Sequence, residues 1–204
     1  MNIMSKYYSL LFRCFTVLIV LGIFNSCASD SAIDAEEAKQ YQTIYQSLKD
    51  NQSKFIFQLD GNEFYKTESI FTGQLQMLVG SFSMSYFDQF GSNVMLRLGG
   101  QKWYTARPIK TPIKLDSGYF SNVMFGKIIN KEEKLGAGYL MNEGLMTFKV
   151  FTKEKIIITI VGKAKKYPKV DKESPSFDVK ATIVCKNPSF DVVAIDEKES
   201  FYGQ

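Results

Sequence analysis

From residue 54 onward, apolar and polar residues alternate with a period of two, and this alternation constrains the fold more than any other feature of the chain. Successive side chains of a β-strand point to opposite faces, so each alternating segment predicts a strand that buries one face. Residues 81–87 and 176–185 are the clearest segments, and turn signals such as Asp60-Gly61-Asn62 separate them. About nine to eleven short strands are predicted in this way within one β-domain, residues 54–190.

No helical pattern alternates with these segments, which argues against an α/β fold. We therefore predict a mostly β fold, a single antiparallel β-sandwich or barrel domain with one N-terminal amphipathic helix. The helix is predicted over residues 34–50 because apolar residues recur there at spacings of three and four. These residues are Ala35, Ala38, Tyr41, Tyr45 and Leu48.

The first 26 residues differ from the rest of the chain. Their only charges are Lys6 and Arg13, and an apolar run of 11 residues follows at positions 14–24. A helix that spans a bilayer needs about 20 residues, whereas the apolar part of an export signal needs about 7–15. Residues 1–26 are therefore predicted to be a cleaved signal peptide.

The apolar run ends at Phe24-Asn25-Ser26-Cys27, and here the chain resembles a bacterial lipoprotein signal peptide. In that class, a short box of residues directs lipid transfer to the cysteine that follows it. The resemblance implies that Cys27 is the lipidation site and that the lipid anchors the protein to a membrane. The polar residues 27–33 are then a tether. The β-domain also resembles the small β-rich domains that many exported lipoproteins of unknown role carry.

The net charge of the chain and the residues that follow Cys27 bear on the partner and on the location of the protein. Without the leader, the chain holds 23 basic and 21 acidic residues, a net charge of +2. So small a charge does not favour a nucleic-acid partner. Residues 28 and 29 are not the aspartate that retains some lipoproteins at the inner membrane. The resemblance therefore implies an anchor at the outer membrane, on its periplasmic or its surface face, with an envelope protein or a glycan as partner.

The residue content argues against catalysis. The chain contains no histidine, which excludes triads based on histidine and removes the commonest zinc ligand. Cys185 falls on the apolar face of a predicted strand, where a free thiol acts as a core side chain. No spacing selects an acid–base pair among the carboxylates near turns. We therefore expect no enzyme, no metal and no cofactor. The carboxylates in question are Asp88, Asp116, Glu132, Glu133 and Glu143.

Two features indicate surface binding. Trp103 and Tyr104 are neighbours in a predicted strand, so one of them should face outward or into a cavity, where an aromatic ring can contact a sugar or an apolar ligand. The alternative, which we favour, is that one is a core side chain and the other an ordinary surface aromatic. Eight lysines lie between residues 149 and 172. They suit anionic lipid headgroups or an acidic polysaccharide, but lysines also protect exposed sheet edges, and we favour that second interpretation.

Together these features predict a lipid-anchored envelope lipoprotein whose non-catalytic β-domain has a binding or accessory role. One alternative is a carrier that holds a small apolar or glycan ligand inside a barrel. Another is a hydrolase that works without histidine. The acidic tail, residues 191–204, is expected to be mobile.

Overall fold

The alternating segments fold into β-strands in the computed structural model, which describes residues 28–114 and 121–202. The predicted signal peptide and Cys27 lie outside the described residues. The mostly β prediction is confirmed, and the domain is a barrel. The strands are β1 Gln52–Leu59, β2 Asn62–Glu63, β3 Phe71–Leu78, β4 Ser81–Asp88, β5 Asn93–Gly99, β6 Ile109–Lys114, β7 Asn122–Asn130, β8 Leu135–Phe151, β9 Lys155–Lys166, β10 Ser176–Lys186 and β11 Phe190–Val193.

Eight of these strands close an antiparallel barrel. Their order around the barrel is β1, β3, β4, β5, β7, β8, β9, β10 and back to β1. The junction between β1 and β3, which we call the seam, has a single paired position, Ser53 opposite Phe71. Beyond that position β3 pairs with β11 in parallel, so the tail strand covers the part of β3 that β1 does not reach.

Strand β8 is long enough to pair with two strands along the same side. Its first half pairs with β7 and its second half with β6. The sequence does not predict β6, because Pro108 and Pro112 make this stretch look like a loop. Proline lacks the N–H that a second neighbour would need, and it is tolerated in a strand that pairs on one side. In β6 the described pairing is to β8 alone, with Pro112 opposite Leu145.

The inward faces of the strands meet in one aromatic core. The Phe55 ring lies 4.4 Å from the Phe71 ring and 5.5 Å from the Tyr86 ring, measured between centroids. Two residues further along β1, the Phe57 ring lies 5.1 Å from the Phe125 ring, again between centroids. All five side chains are buried. The prediction that Cys185 is a core side chain is also confirmed, because it is fully buried on the same inner face.

The N-terminal helix α1, Ala28–Ser47, begins six residues before the predicted start at residue 34. The predicted start of the helix is therefore wrong, and residues 28–33, which were predicted to be a tether, are helical. The polar residues there lack a helix-breaking proline or glycine. Tyr41 is buried and Tyr45 half-buried, whereas Ala35 and Ala38 are exposed. Of the described residues, 28–43 belong to one compact unit and those from Ile44 onward to a second.

Within the second unit, the residues that end the helix contact the barrel. The hydroxyl of Tyr45 donates a hydrogen bond to the Glu154 carbonyl at 3.4 Å, and the Lys155 ammonium lies 4.8 Å from the Tyr45 ring centroid. The Lys186 ammonium donates to the Leu48 carbonyl at 2.8 Å. Neither helix in the described part of the chain is long and apolar enough to cross a membrane.

The described part of the acidic tail, residues 191–202, packs against the barrel, whereas the sequence predicts a mobile tail. After β11, a short helix α2, Glu197–Tyr202, buries Phe201 against the rings of Phe151 and Phe190, at 5.2 and 4.9 Å between centroids. The Arg107 guanidinium donates to the Ser200 carbonyl at 2.6 Å. Apolar packing and this hydrogen bond therefore attach to the barrel a segment that is otherwise rich in acidic residues.

Gly73 tests the packing of the core. It lies on β3 opposite Tyr86, and a Cβ at this position would lie 2.0 Å from the Ser85 carbonyl oxygen. We predict that Gly73→Ala destabilises the barrel by about 1–3 kcal/mol, because backbone or ring must shift to admit the methyl group. This corresponds to a drop in melting temperature of roughly 3–10 °C.

Gly80→Ala is the matched control, since no atom lies within 4 Å of a Cβ built at Gly80. This substitution should change stability by less than about 0.5 kcal/mol. Equal thermal melts for the two variants would contradict the described contact between β3 and β4.

Candidate functional site

The two aromatic residues predicted to bind a ligand are both buried. Trp103 and Tyr104 lie in a turn after β5 rather than in a strand, and their exposed fractions are 8% and 4%. The Trp103 indole N–H donates to the Leu78 carbonyl at 3.0 Å, and its ring packs against Phe82. Neither side chain faces outward, because the strand geometry on which that expectation rested is absent; their contact with a ligand from within a cavity stays a prediction.

The thiol of Cys185, inside the barrel, is a poor nucleophile. Burial raises its pKa to about 12. A thiol with so high a pKa carries almost no thiolate at neutral pH, and thiolate is the nucleophilic form. The side chain serves packing inside the barrel.

Four of the eight lysines between residues 149 and 172 lie on β9 and do not protect a sheet edge, so that interpretation is wrong for them. Strand β9, which carries several of them, pairs with β8 on one side and β10 on the other. Three of these lysines have local partners. Lys165 donates to the Asp171 carbonyl, Lys153 forms an ion pair with Glu197 at 2.6 Å, and Lys155 lies over Tyr45.

Among the turn carboxylates, Asp88 has a structural role. Its Oδ2 accepts a hydrogen bond from the Ser69 hydroxyl at 2.7 Å, and its Oδ1 accepts from the amides of Phe90 and Ser92 at 2.9 and 2.7 Å. Asp116 lies outside the described residues. Within residues 28–114 and 121–202, no three histidine, cysteine or acidic side chains converge as metal ligands would.

The outer face of β3, β4, β5 and β7 carries a row of four polar side chains. In the register of the sheet, Gln76 is opposite Ser83, Ser83 is opposite Arg97, and Arg97 is opposite Asn122. Neighbouring strands lie about 4.8 Å apart, so the row is about 14 Å long. Neither the Ser83 hydroxyl nor the Arg97 guanidinium bonds to another side chain or carbonyl in the described part of the chain.

A second, apolar row runs beside the polar one. Met95 is opposite Met124, which is opposite Leu140. The two rows line a groove of about 570 Å³, with the three short serines of β4 at its floor and Tyr167 at one end. We call it the serine groove. Its size is within the range of small-molecule sites, roughly 300–1,000 Å³.

Charge is unevenly placed along the serine groove. Arg97 is the cation among its lining residues. Asp191 on β11 is opposite Gln76, and its Oδ2 accepts a hydrogen bond from the Gln76 amide at 3.2 Å. Arg97 and Asp191 are thus three strand spacings apart, about 14 Å. Electrostatic repulsion between Asp191 and an anionic ligand group bound at Arg97 is therefore weak.

The sequence predicts the serines of the groove but not the polar residues that lie beside them. The alternation of serines with apolar residues at positions 81–87 shows that one face of β4 carries short hydroxyl side chains. Sequence reasoning missed Gln76, Arg97 and Asn122, because only the strand register brings them beside Ser83.

Comparisons of the chain with protein-family models, with curated proteins and with solved structures found no match. The fold itself, a closed β-barrel, is compatible with a ligand-binding or carrier role. The chemistry of the groove must therefore be derived from its own side chains.

Proposed function

We propose that this protein is a lipid-anchored envelope lipoprotein whose barrel binds an acidic glycan, without catalysis, in the serine groove. The polar row Gln76, Ser83, Arg97 and Asn122 is the observation that carries the proposal. Amide, hydroxyl and guanidinium groups can donate hydrogen bonds to the hydroxyl and carboxylate oxygens of a sugar chain. The row is linear, which suits an extended polymer.

The apolar half of the groove supports the same ligand class. A sugar ring has apolar C–H faces as well as hydroxyl edges, and Met95, Met124 and Leu140 offer apolar contacts beside the polar row. Methionine is flexible and polarizable, so it adapts to irregular ligand surfaces. Tyr167, more than half exposed, is placed to stack against a ring at the end of the groove.

The filled interior favours the outer face over an internal carrier site. Phe55, Phe71 and Tyr86 pack ring against ring across the barrel, and all three are fully buried. Protein interiors of this kind are close-packed, and a ligand could enter only by displacing several aromatic side chains. The alternative of a carrier with an internal ligand is therefore less favoured.

A binding role is also favoured over hydrolysis. The Cys185 thiol is buried with a raised pKa, and the Asp88 carboxylate is occupied by three hydrogen bonds. The serine groove holds no carboxylate among its lining residues. A hydrolase without histidine would need a carboxylate pair or an activated nucleophile at the substrate.

Substitutions in the groove test the proposed ligand. We expect a tetrasaccharide of galacturonic acid, used as an acidic probe, to bind the barrel in isothermal titration calorimetry more tightly than a neutral tetrasaccharide. Arg97→Gln should weaken binding of the acidic probe about tenfold, because a charge-assisted hydrogen bond is lost. Ser83→Leu should weaken both probes, because it fills the floor of the groove.

Matched controls lie on β10, on another part of the outer face. Lys180→Gln removes an exposed cation and Thr182→Leu enlarges a half-buried side chain, as the two groove variants do. Both controls should leave binding unchanged. If the control substitutions weaken binding as much as the groove substitutions, the serine groove is not the site.

The anchor needs a separate test. If Cys27 carries the lipid, the native protein should partition into the detergent-rich phase when a detergent solution of membranes is warmed. Cys27→Ser should leave an uncleaved precursor or a soluble form. A processed Cys27→Ser protein that still partitions into the detergent phase would show that Cys27 is not the anchor.

A further inference from the structure

A second pocket lies at the end of the barrel where the β4–β5 turn meets the ends of β7. Its volume is about 540 Å³, and it shares no lining residue with the serine groove. The two segments touch there, because a Cβ built at Gly91 would lie 2.6 Å from the Ile128 Cδ1. We call it the lysine pocket, after Lys66, Lys127 and Lys131, which line it.

The three ammonium groups give this pocket a net positive charge. Glu63 is the one carboxylate among its lining residues. The Lys66 Nζ lies 4.1 Å from the centroid of the Phe90 ring, and the Lys127 Nζ lies 4.5 Å from that of Phe64. None of the three lysines forms an ion pair with a residue in the described ranges.

Two of the cations are held in place by neutral partners. The Lys127 ammonium donates to the Phe64 carbonyl at 2.7 Å, and both it and Lys66 rest on aromatic rings. A ring or a carbonyl orients an ammonium without neutralising it. The positive charge therefore remains available to an anion that enters the pocket.

Apart from the lysines, Glu63 and Ser92, the pocket is lined by apolar side chains, and three of these are open to solvent. Phe90, Ile128 and Ile129 are among the large apolar side chains that the barrel exposes, and Ile129 has an exposed fraction of 65%. The Phe64 and Tyr65 rings lie beneath them and are buried. Apolar surface grouped in this way gains free energy when a ligand covers it, by about 25 cal/mol for each Å².

We infer that the lysine pocket binds a monomeric amphiphile with one acyl chain and an anionic head, such as a fatty acid. A small inorganic anion would leave the Ile128 and Phe90 surface uncovered. An uncharged apolar ligand would desolvate the ammonium groups without pairing them, which is unfavourable. A carboxylate on an alkyl chain satisfies both parts of the pocket. This inference does not depend on the serine groove or on its ligand.

The test is a calorimetric titration of the processed chain, residues 27–204, carrying Cys27→Ser so that no attached lipid competes. Dodecanoate below its micelle concentration should bind at one site, and dodecanol should bind at least tenfold more weakly. Lys66→Gln should weaken dodecanoate binding about three- to tenfold, with a further loss when Lys131→Gln is added. Raising the salt concentration should weaken it as well, because the pocket is open to solvent.

Two controls match the substitutions in chemistry and exposure. Lys163→Gln removes an exposed cation on β9, and Val161→Gln replaces an apolar side chain whose exposed fraction, 49%, is close to the 44% of Ile128. Ile128→Gln should weaken binding, whereas neither control should. Circular dichroism checks that each variant keeps its strands.

Several results would overturn the inference. One is equal affinity for dodecanoate and dodecanol, which would mean that the lysines do not recognise the head group. A second is unchanged binding in both Lys66→Gln and Ile128→Gln. A third is binding only to vesicles of anionic phospholipid, with none of the monomer, because the pocket would then be part of a membrane-docking surface.

Discussion

The contact of Phe55 with Phe71 and Tyr86 closes the barrel. At the seam, β1 and β3 share a single paired position, so backbone hydrogen bonds contribute little to holding the two strands together. Packing of aromatic rings holds β1 against β3 instead, since the Phe55 ring lies 4.4 Å from the Phe71 ring and 5.5 Å from the Tyr86 ring. Gly73 makes room for the Tyr86 ring. If these rings lost contact, the barrel would open at the seam and expose the parts of β1 and β3 that β2 and β11 do not cover, which are strand edges that a closed barrel avoids.

Because aromatic side chains fill the interior of the barrel, its outer face is where the proposed ligand site must lie. The serine groove lies on that face, because the side chains that alternate with Phe82, Met84 and Tyr86 on β4 are serines. Short side chains at the centre of the outer face, with longer ones on β3 and β5, make a trough rather than a flat surface. The lysine pocket arises in a different way, at one end of the barrel, where a turn and a strand end bring cations and apolar side chains together.

The sequence predicts the features that depend on the local alternation of apolar and polar residues. It misses those that depend on how the strands pair in the closed barrel. Strand β4 and the Asp60-Gly61 turn were predictable, since both turn residues have positive φ, 49° and 77°, which a two-residue hairpin requires. Strand β6 was not, because Pro112 argues against a strand until β8 is known to pair with it on one side. The polar row of the serine groove could not be predicted from the sequence either. Arg97 is 14 residues from Ser83 in sequence, and only the pairing of β4 with β5 places the two opposite each other.

Methionine methyl groups report most directly on whether ligands meet the outer face and not the interior. Met95 and Met124 line the serine groove, whereas three other methionines are buried inside the barrel and do not line it. In a ¹³C-methyl methionine spectrum, titration with the galacturonic acid tetrasaccharide should move the Met95 and Met124 signals and leave these three interior signals in place. Movement of the interior signals with Met95 and Met124 unchanged, or no movement of any signal, would contradict the account. The three interior methionines are Met77, Met141 and Met146.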